Sequence, residues 1–148
     1  MASNSKLYDK ISLGAVPRAV SSVAPKTYKG FSTVNTSTEN FGLFDFELIK
    51  QDLINMFNTR MGERLMQPEF GTIIWDLLYE PMTDEVRYAI TDNVNTIINY
   101  DPRVKADQVI VTPYESGIQI ECVLTYFPYN IQQNLQLRFD QENGLLMA

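Results

Sequence analysis

The sequence predicts an α+β domain: two amphipathic helices and a short helix packed on a three-strand antiparallel meander, with an extended arm at the N-terminus. Three observations predict it. Large apolar residues recur at helical spacing over 46–57 and again over 86–97; the pattern changes to alternation after Arg103; and residues 1–40 hold neither period. With 148 residues and 45% hydrophobic side chains, the chain can bury one core of ordinary size.

The first helix is expected to open at Asp45 as N-cap, with Phe44 before it stapled onto Ile49. Phe46, Ile49, Leu53, Met56 and Phe57 form its apolar stripe, and Gly62 is expected to stop it at the C′ position, with Arg60 near the negative end of the dipole. Residues 63–66 read as extended, Pro68 and Gly71 bracket a turn, and 73–79 read as a short buried helix ending before Pro81. Thr83 opens the second long helix, with Asp84 and Glu85 in its first turn; Val86, Ala89, Ile90, Val94 and Ile97 are its buried stripe. Pro102 disfavours helical geometry in the residue before it, so that helix ends by Tyr100 or Asp101.

The strands follow. Residues 108–114 are β-branched and extended, and Glu115-Ser116-Gly117 makes a turn. Ile118, Ile120, Cys122, Leu124 and Tyr126 then alternate with polar neighbours. After Pro128-Tyr129-Asn130, a last strand puts Ile131, Leu135, Leu137 and Phe139 on one face and Asn134, Gln136, Arg138 and Asp140 on the other. Its only charged residues lie near its end, so its edge is suited to accept a strand from another chain.

Charge divides the chain in two. Residues 1–40 carry five basic and two acidic side chains, whereas 41–148 carry seven basic and sixteen acidic. The first part is rich in Ser, Thr, Asn and Pro and cannot offset its own ordering entropy. Its scattered large residues (Leu7, Tyr8, Ile11, Leu13, Val20, Val23, Tyr28 and Phe31) suit an arm that orders on a partner. The expected domains are therefore a basic arm over 1–40 and a body over 41–148.

Several chemistries are disfavoured. A sequence pI near 4.6 argues against nucleic acid as a partner, which needs clustered basic residues. No apolar run nears the ~20 residues of a membrane-crossing helix, and no apolar stretch of a secretory signal follows Met1. These features lead us to expect a soluble, intracellularly made protein. The lone Cys122 allows neither an internal disulfide nor a Cys-built zinc site, and the absence of histidine removes His-dependent triads. Neither an acidic calcium loop nor a phosphate-cradling glycine spacing is present, so no metal or cofactor is expected. What remains is carboxylate chemistry: Glu63, Glu69, Asp76 and Glu80 share the irregular central segment, where a cleft could support glycoside hydrolysis. Against a helix C-terminus, Asp101 gains nothing from the dipole; Asp101-Pro102 reads either as a plain helix-terminating turn or as a carboxylate paired with an arginine fork, from Arg64 or Arg103.

The order of motifs is distinctive. Phe46-Glu47-Leu48-Ile49-Lys50, then the stretch from Gly62-Glu63-Arg64 to Pro68-Glu69-Phe70-Gly71, then Tyr79-Glu80-Pro81, then Tyr100-Asp101-Pro102-Arg103-Val104, resembles the contractile-tail baseplate wedge family over about residues 41–142. That family includes the lysozyme-like wedge subunit of myophage baseplates and its type VI secretion counterpart. Asp101-Pro102-Arg103 stands where the family carries Glu-Pro-Arg, keeping the charge and shortening the reach by one methylene. The resemblance implies a non-enzymatic subunit of the virion tail baseplate, shaped like the interlocking domain of a sheath protein. It implies as partners a helical bundle from larger wedge proteins, the tail sheath subunit, and the tail tube or hub. The partner-binding residues it implies are Gly62, Glu63, Arg64, Pro68, Phe70, Gly71, Asp101, Pro102 and Arg103 for the wedge core. For the sheath they are Asn134, Gln136 and Arg138. Two alternatives stand beside it: a baseplate-borne peptidoglycan hydrolase, and a type VI secretion baseplate subunit.

Overall fold

The computed structural model describes residues 27–32, 42–127 and 129–147. In chain order the elements are β1 (Lys29–Phe31), β2 (Gly42–Phe44), α1 (Asp45–Asn58), α2 (Ile74–Leu77), α3 (Asp84–Tyr100), β3 (Val104–Tyr114), β4 (Gly117–Tyr126), β5 (Ile131–Asp140) and β6 (Gly144–Met147). β1 and β2 pair antiparallel, and β3-β4-β5-β6 form a second antiparallel sheet in sequence order. The result is the expected α+β architecture with helices on one face of a meander. No helix among the described residues is long and apolar enough to cross a membrane.

The core lies between helices and sheet. Ile49, Leu53 and Phe57 from α1, Ile74 from α2 and Ile90, Val94 and Ile98 from α3 are fully buried against Ile120, Leu124, Leu135, Leu137 and Phe139. Phe139 is its aromatic centre, meeting Phe57 edge-on at 6.2 Å and Trp75 at 5.2 Å. Thr83 caps α3 as expected, its hydroxyl accepting from the Val86 N–H at 3.3 Å.

Several local expectations are corrected. Asp45 does not cap α1. It sits at φ +49°, and its Oδ1 accepts from the N–H groups of Thr27 and Tyr28 at 2.8 and 3.0 Å, fixing the chain that leads into β1. Asp tolerates that left-handed conformation better than most residues. Helix α1 ends at Asn58, before the expected stop; Gly62 (φ +90°) instead shapes the loop beyond it. The first meander strand begins at Val104, with a bulge between Ala106 and Gln108. The meander has four strands, because residues 141–143, followed by Gly144 at φ +77°, turn the chain back and pair 144–147 with 137–140.

That last turn is held by one carboxylate. Asp140 is 8% exposed; its Oδ1 accepts from the N–H groups of Glu142 and Asn143 at 2.9 and 3.2 Å, and its Oδ2 from Ser116 and Tyr114 hydroxyls at 2.9 and 3.2 Å. Close packing continues at Gly117, where a Cβ would lie 1.9 Å from the Phe139 carbonyl oxygen. The two backbone N–H groups, with the Ser116 hydroxyl, hold the Asp140 carboxyl at about 2, below its ordinary 3.8. A depressed carboxyl value stabilises the fold above the unfolded chain's value and ceases to do so as pH falls through the folded one. Stability is therefore expected to fall as pH drops from about 4 to about 2. In Asp140→Asn, which keeps an acceptor but cannot titrate, unfolding free energy measured by denaturant across that window should depend less steeply on pH.

Candidate interaction site

The residues singled out in the sequence fall into three neighbouring groups. The first is an ionic knot where α3 passes into β3. Arg103 Nε donates to both carboxylate oxygens of Asp101 at 2.8 and 3.1 Å, and its Nη2 donates to Asp101 Oδ2 at 2.5 Å and to Asp52 Oδ2 of α1 at 2.7 Å. Asp101 also accepts from the backbone N–H of Arg103 at 3.0 Å. Pro102 is exposed at the apex of this turn. Burial pushes the Asp101 carboxyl up, and the Arg103 side chain and N–H outweigh it, so its value lies below the ordinary one. Hydrogen bonding to Asp101 in turn raises the guanidinium further above its already high value. The guanidinium also lies 5.6 Å from the Tyr28 ring centroid, and the Arg103 carbonyl accepts from Phe127 N–H at 3.0 Å. Of the two arginines proposed for Asp101, the partner is Arg103.

Arg64 belongs to the second group, the loop between α1 and α2, where its guanidinium lies 3.9 Å from the centre of the Phe70 ring. Phe70 meets Tyr100, the last residue of α3, edge-on at 5.0 Å. The loop closes on itself through Gly62 N–H to the Pro68 carbonyl at 2.9 Å and Thr72 N–H to the Thr59 carbonyl at 2.9 Å. Glu63 accepts from Arg60 N–H at 2.9 Å. Gly71 (φ +136°) lets the two ends meet: a Cβ there would lie 2.6 Å from the Arg60 backbone. Asn93 of α3 clamps the loop, accepting from Ile73 N–H at 3.2 Å and donating to the Gly71 carbonyl at 3.3 Å. Between loop and α3 lies a cleft of about 800 Å³, lined by Met61, Met66, Phe70, Ile97 and Tyr100 among others. Met66 of the lining is 94% exposed, and its chain neighbour Leu65 is 95% exposed.

The third group is the edge of the sheet. β6 pairs only with residues 137–140 of β5, so no described strand pairs with the outer side of 131–136. Asn134 lies on this open stretch and is exposed, and Gln136 donates to Glu121 at 3.1 Å across the solvent face. Arg138 lies on the covered part, its guanidinium 4.9 Å from the Tyr114 ring centroid. The opposite edge, β3, is guarded by its bulge, by Pro113 and by Lys105 and Asp107.

Asp52 and Asn93 are not among the residues singled out in the sequence. Asn93 had a signal, as a polar residue beside the apolar stripe of α3; Asp52 had none, since its partner lies 51 residues away. Cys122 is buried, which pushes its thiol up to about 12 and makes it inert. Among the described residues no three His, Cys, Asp or Glu side chains are grouped to hold a metal ion.

The sequence and the fold have known counterparts. The family model described as baseplate wedge protein gp25 matches residues 44–127. The baseplate wedge protein gp25 of Enterobacteria phage T4 is 34% identical over 95 residues, covering 60% of this chain and 72% of its own. Among solved structures, a protein designated a tail lysozyme from Geobacter sulfurreducens superposes with a TM-score of 0.57 at 24% identity, covering 66% of this chain and 91% of its own. A chain of the anti-feeding prophage baseplate gives 0.55 at 23%, covering 66% and 83%; one of the postcontracted pyocin R2 baseplate gives 0.54 at 18%, covering 67% and 98%. The structural likenesses establish a shared fold, and the match of family model to more than half of the sequence identifies the chain as a member of the gp25 baseplate wedge family.

Proposed function

We propose that this protein is a structural subunit of a contractile-tail baseplate that works through two separate surfaces. A structural role in the virion tail baseplate follows from family membership. In the finer reading, the cleft beside the 59–72 loop receives a helix of a larger wedge protein, and the open stretch of β5 receives a strand of the first sheath ring. The observation that carries the reading is the half-covered edge: residues 131–136 present backbone groups that no described strand uses, while β3 is guarded. Strand addition supplies main-chain hydrogen bonds in a repeatable register, which suits the start of a polymer of identical subunits. The cleft supports the first half of the reading, because a mostly apolar groove lined by the exposed Met66 suits the apolar face of an amphipathic helix.

We favour a non-catalytic role. A glycosidase needs one carboxyl in an apolar enclosure that keeps it protonated. Glu63, Glu69, Asp76 and Glu80 are all solvent-exposed, and Glu63 is engaged in accepting from the Arg60 backbone. The rival reading would be revived by clearing of purified cell wall that is lost in Glu63→Gln or Glu69→Gln.

Leu65→Asp and Met66→Asp test the cleft. Both side chains are almost fully exposed, so unfolding free energy should change by no more than ~0.5 kcal/mol. Incorporation into baseplates, measured by quantifying the subunit in purified particles, should fall at least tenfold; normal incorporation would remove the cleft from the interface.

Proline substitutions at Gln132, Gln133 and Asn134 test the edge. Alternate residues of an antiparallel strand point their N–H toward the neighbouring strand or away from it, so some of these prolines break the β4–β5 ladder and others only the free side. Variants that keep the native circular dichroism spectrum should form baseplates without sheath in electron micrographs. Sheathed tails on such folded variants would contradict strand addition.

A further inference from the structure

Asn143-Gly144 is the only Asn-Gly step in the sequence, and the fold places it where β5 turns back into β6. Asn143 is exposed and ends the link formed by residues 141–143. Its backbone N–H donates to Asp140 Oδ1 at 3.2 Å, and its carboxamide Nδ2 donates to the same oxygen at 3.4 Å. Gly144 follows at φ +77°, and a Cβ there would meet nothing within 4 Å, so the step is uncrowded. Gly144 and Asp140 form the outermost pair of the β5–β6 ladder, and fraying of that terminal pair is enough to release the Gly144 nitrogen.

We propose that Asn143 is a site of spontaneous modification, in which ring closure onto Gly144 converts it to isoaspartate and unhooks β6 from β5. The Gly144 nitrogen gives its proton to solvent base and attacks Cγ of Asn143. The Cγ–Nδ2 bond breaks, and the amide nitrogen takes up a proton and leaves as ammonia. Water then opens the cyclic succinimide at either carbonyl, leaving aspartate or, with the main chain rerouted through Cγ, isoaspartate. Either product puts a carboxylate where the Nδ2 donor met Asp140, and like charges so close repel. Residues 139–148 hold no Lys or Arg to balance the added charge. Isoaspartate also adds a methylene to the short link, which shifts the register that sets Gly144 against Asp140 and Leu145 against Phe139. Because β6 covers residues 137–140, its loss extends the free edge of β5 from 131–136 to 131–140. What that longer edge does for a partner strand rests on the strand-addition reading; the modification itself does not.

Full-length protein is aged at physiological temperature in mildly alkaline buffer, beside a sample unfolded in urea that sets the unhindered rate. Peptide mass spectrometry with isoaspartate methyltransferase labelling follows each asparagine. The folded protein should convert at Asn143 within tenfold of the unfolded rate, while the exposed Asn99, Asn130 and Asn134 stay intact and Asn143→Gln does not react. A folded rate slower than that, or conversion at the other asparagines first, would overturn the site. Amide hydrogen exchange on the separated isoaspartate form reads the unhooking: peptides over 137–140 and 144–147 should exchange at least tenfold faster, with α3 unchanged. Equal exchange in the two forms would overturn the release of β6. Neither measurement involves a partner, so failure here leaves strand addition to be decided by the proline variants.

Discussion

The Asp101–Arg103–Asp52 knot is the constraint on which the arrangement of surfaces depends. A carboxylate at a helix C-terminus meets the negative end of the dipole, and at 4% exposure Asp101 also loses hydration, so by itself it would destabilise the fold. Arg103, two residues later, offsets both effects with a bidentate contact. Because the same guanidinium reaches Asp52 in the middle of α1, one side chain fixes where α1 lies against the junction of α3 and β3. Through Tyr28 and the Arg103 carbonyl the knot also reaches the chain before β1 and the end of β4. The cleft begins one residue before the knot, at Tyr100, and the meander starts one residue after it, at Val104.

The rest of the fold follows from that anchoring. With α3 set against β3, its apolar stripe covers the inner face of the sheet, while Asn93 on its outer flank clamps the 59–72 loop into one conformation. The two proposed surfaces thus stand on one shared core. A helix seated in the cleft and a strand added to β5 could be held at a fixed mutual geometry, which a subunit linking a baseplate to a sheath requires.

Much of this was legible in the sequence. Thr83 and Pro102 delimited α3, and alternation from Ile118 to Tyr126 set β4 and its inward face, because these signals are local. Where partners are distant, the reading failed. Asp45 resembles an N-cap to any local rule, yet its carboxylate serves Thr27 and Tyr28, and Gly62 resembles a helix stop but closes a loop onto Pro68. The strand β6 is too short for periodicity to register. Of the candidate contacts, the pairing of Asp101 with one of two arginines was foreseeable, while the third member, Asp52, depends on how α1 packs. The segment read as an arm is described only at residues 27–32, where β1 pairs with β2.

A double-mutant cycle between Asp101 and Arg103, read as unfolding free energy in denaturant at neutral pH, tests the central claim most directly. Breaking a buried pair from one side costs about 3–5 kcal/mol, and the partial exposure of Arg103 lowers the expectation for Arg103→Met to about 2 kcal/mol. Asp101→Asn should then recover part of that loss in the Arg103→Met background, giving a coupling of at least about 1 kcal/mol. Effects that add to within ~0.3 kcal/mol would mean that the knot is incidental to the fold.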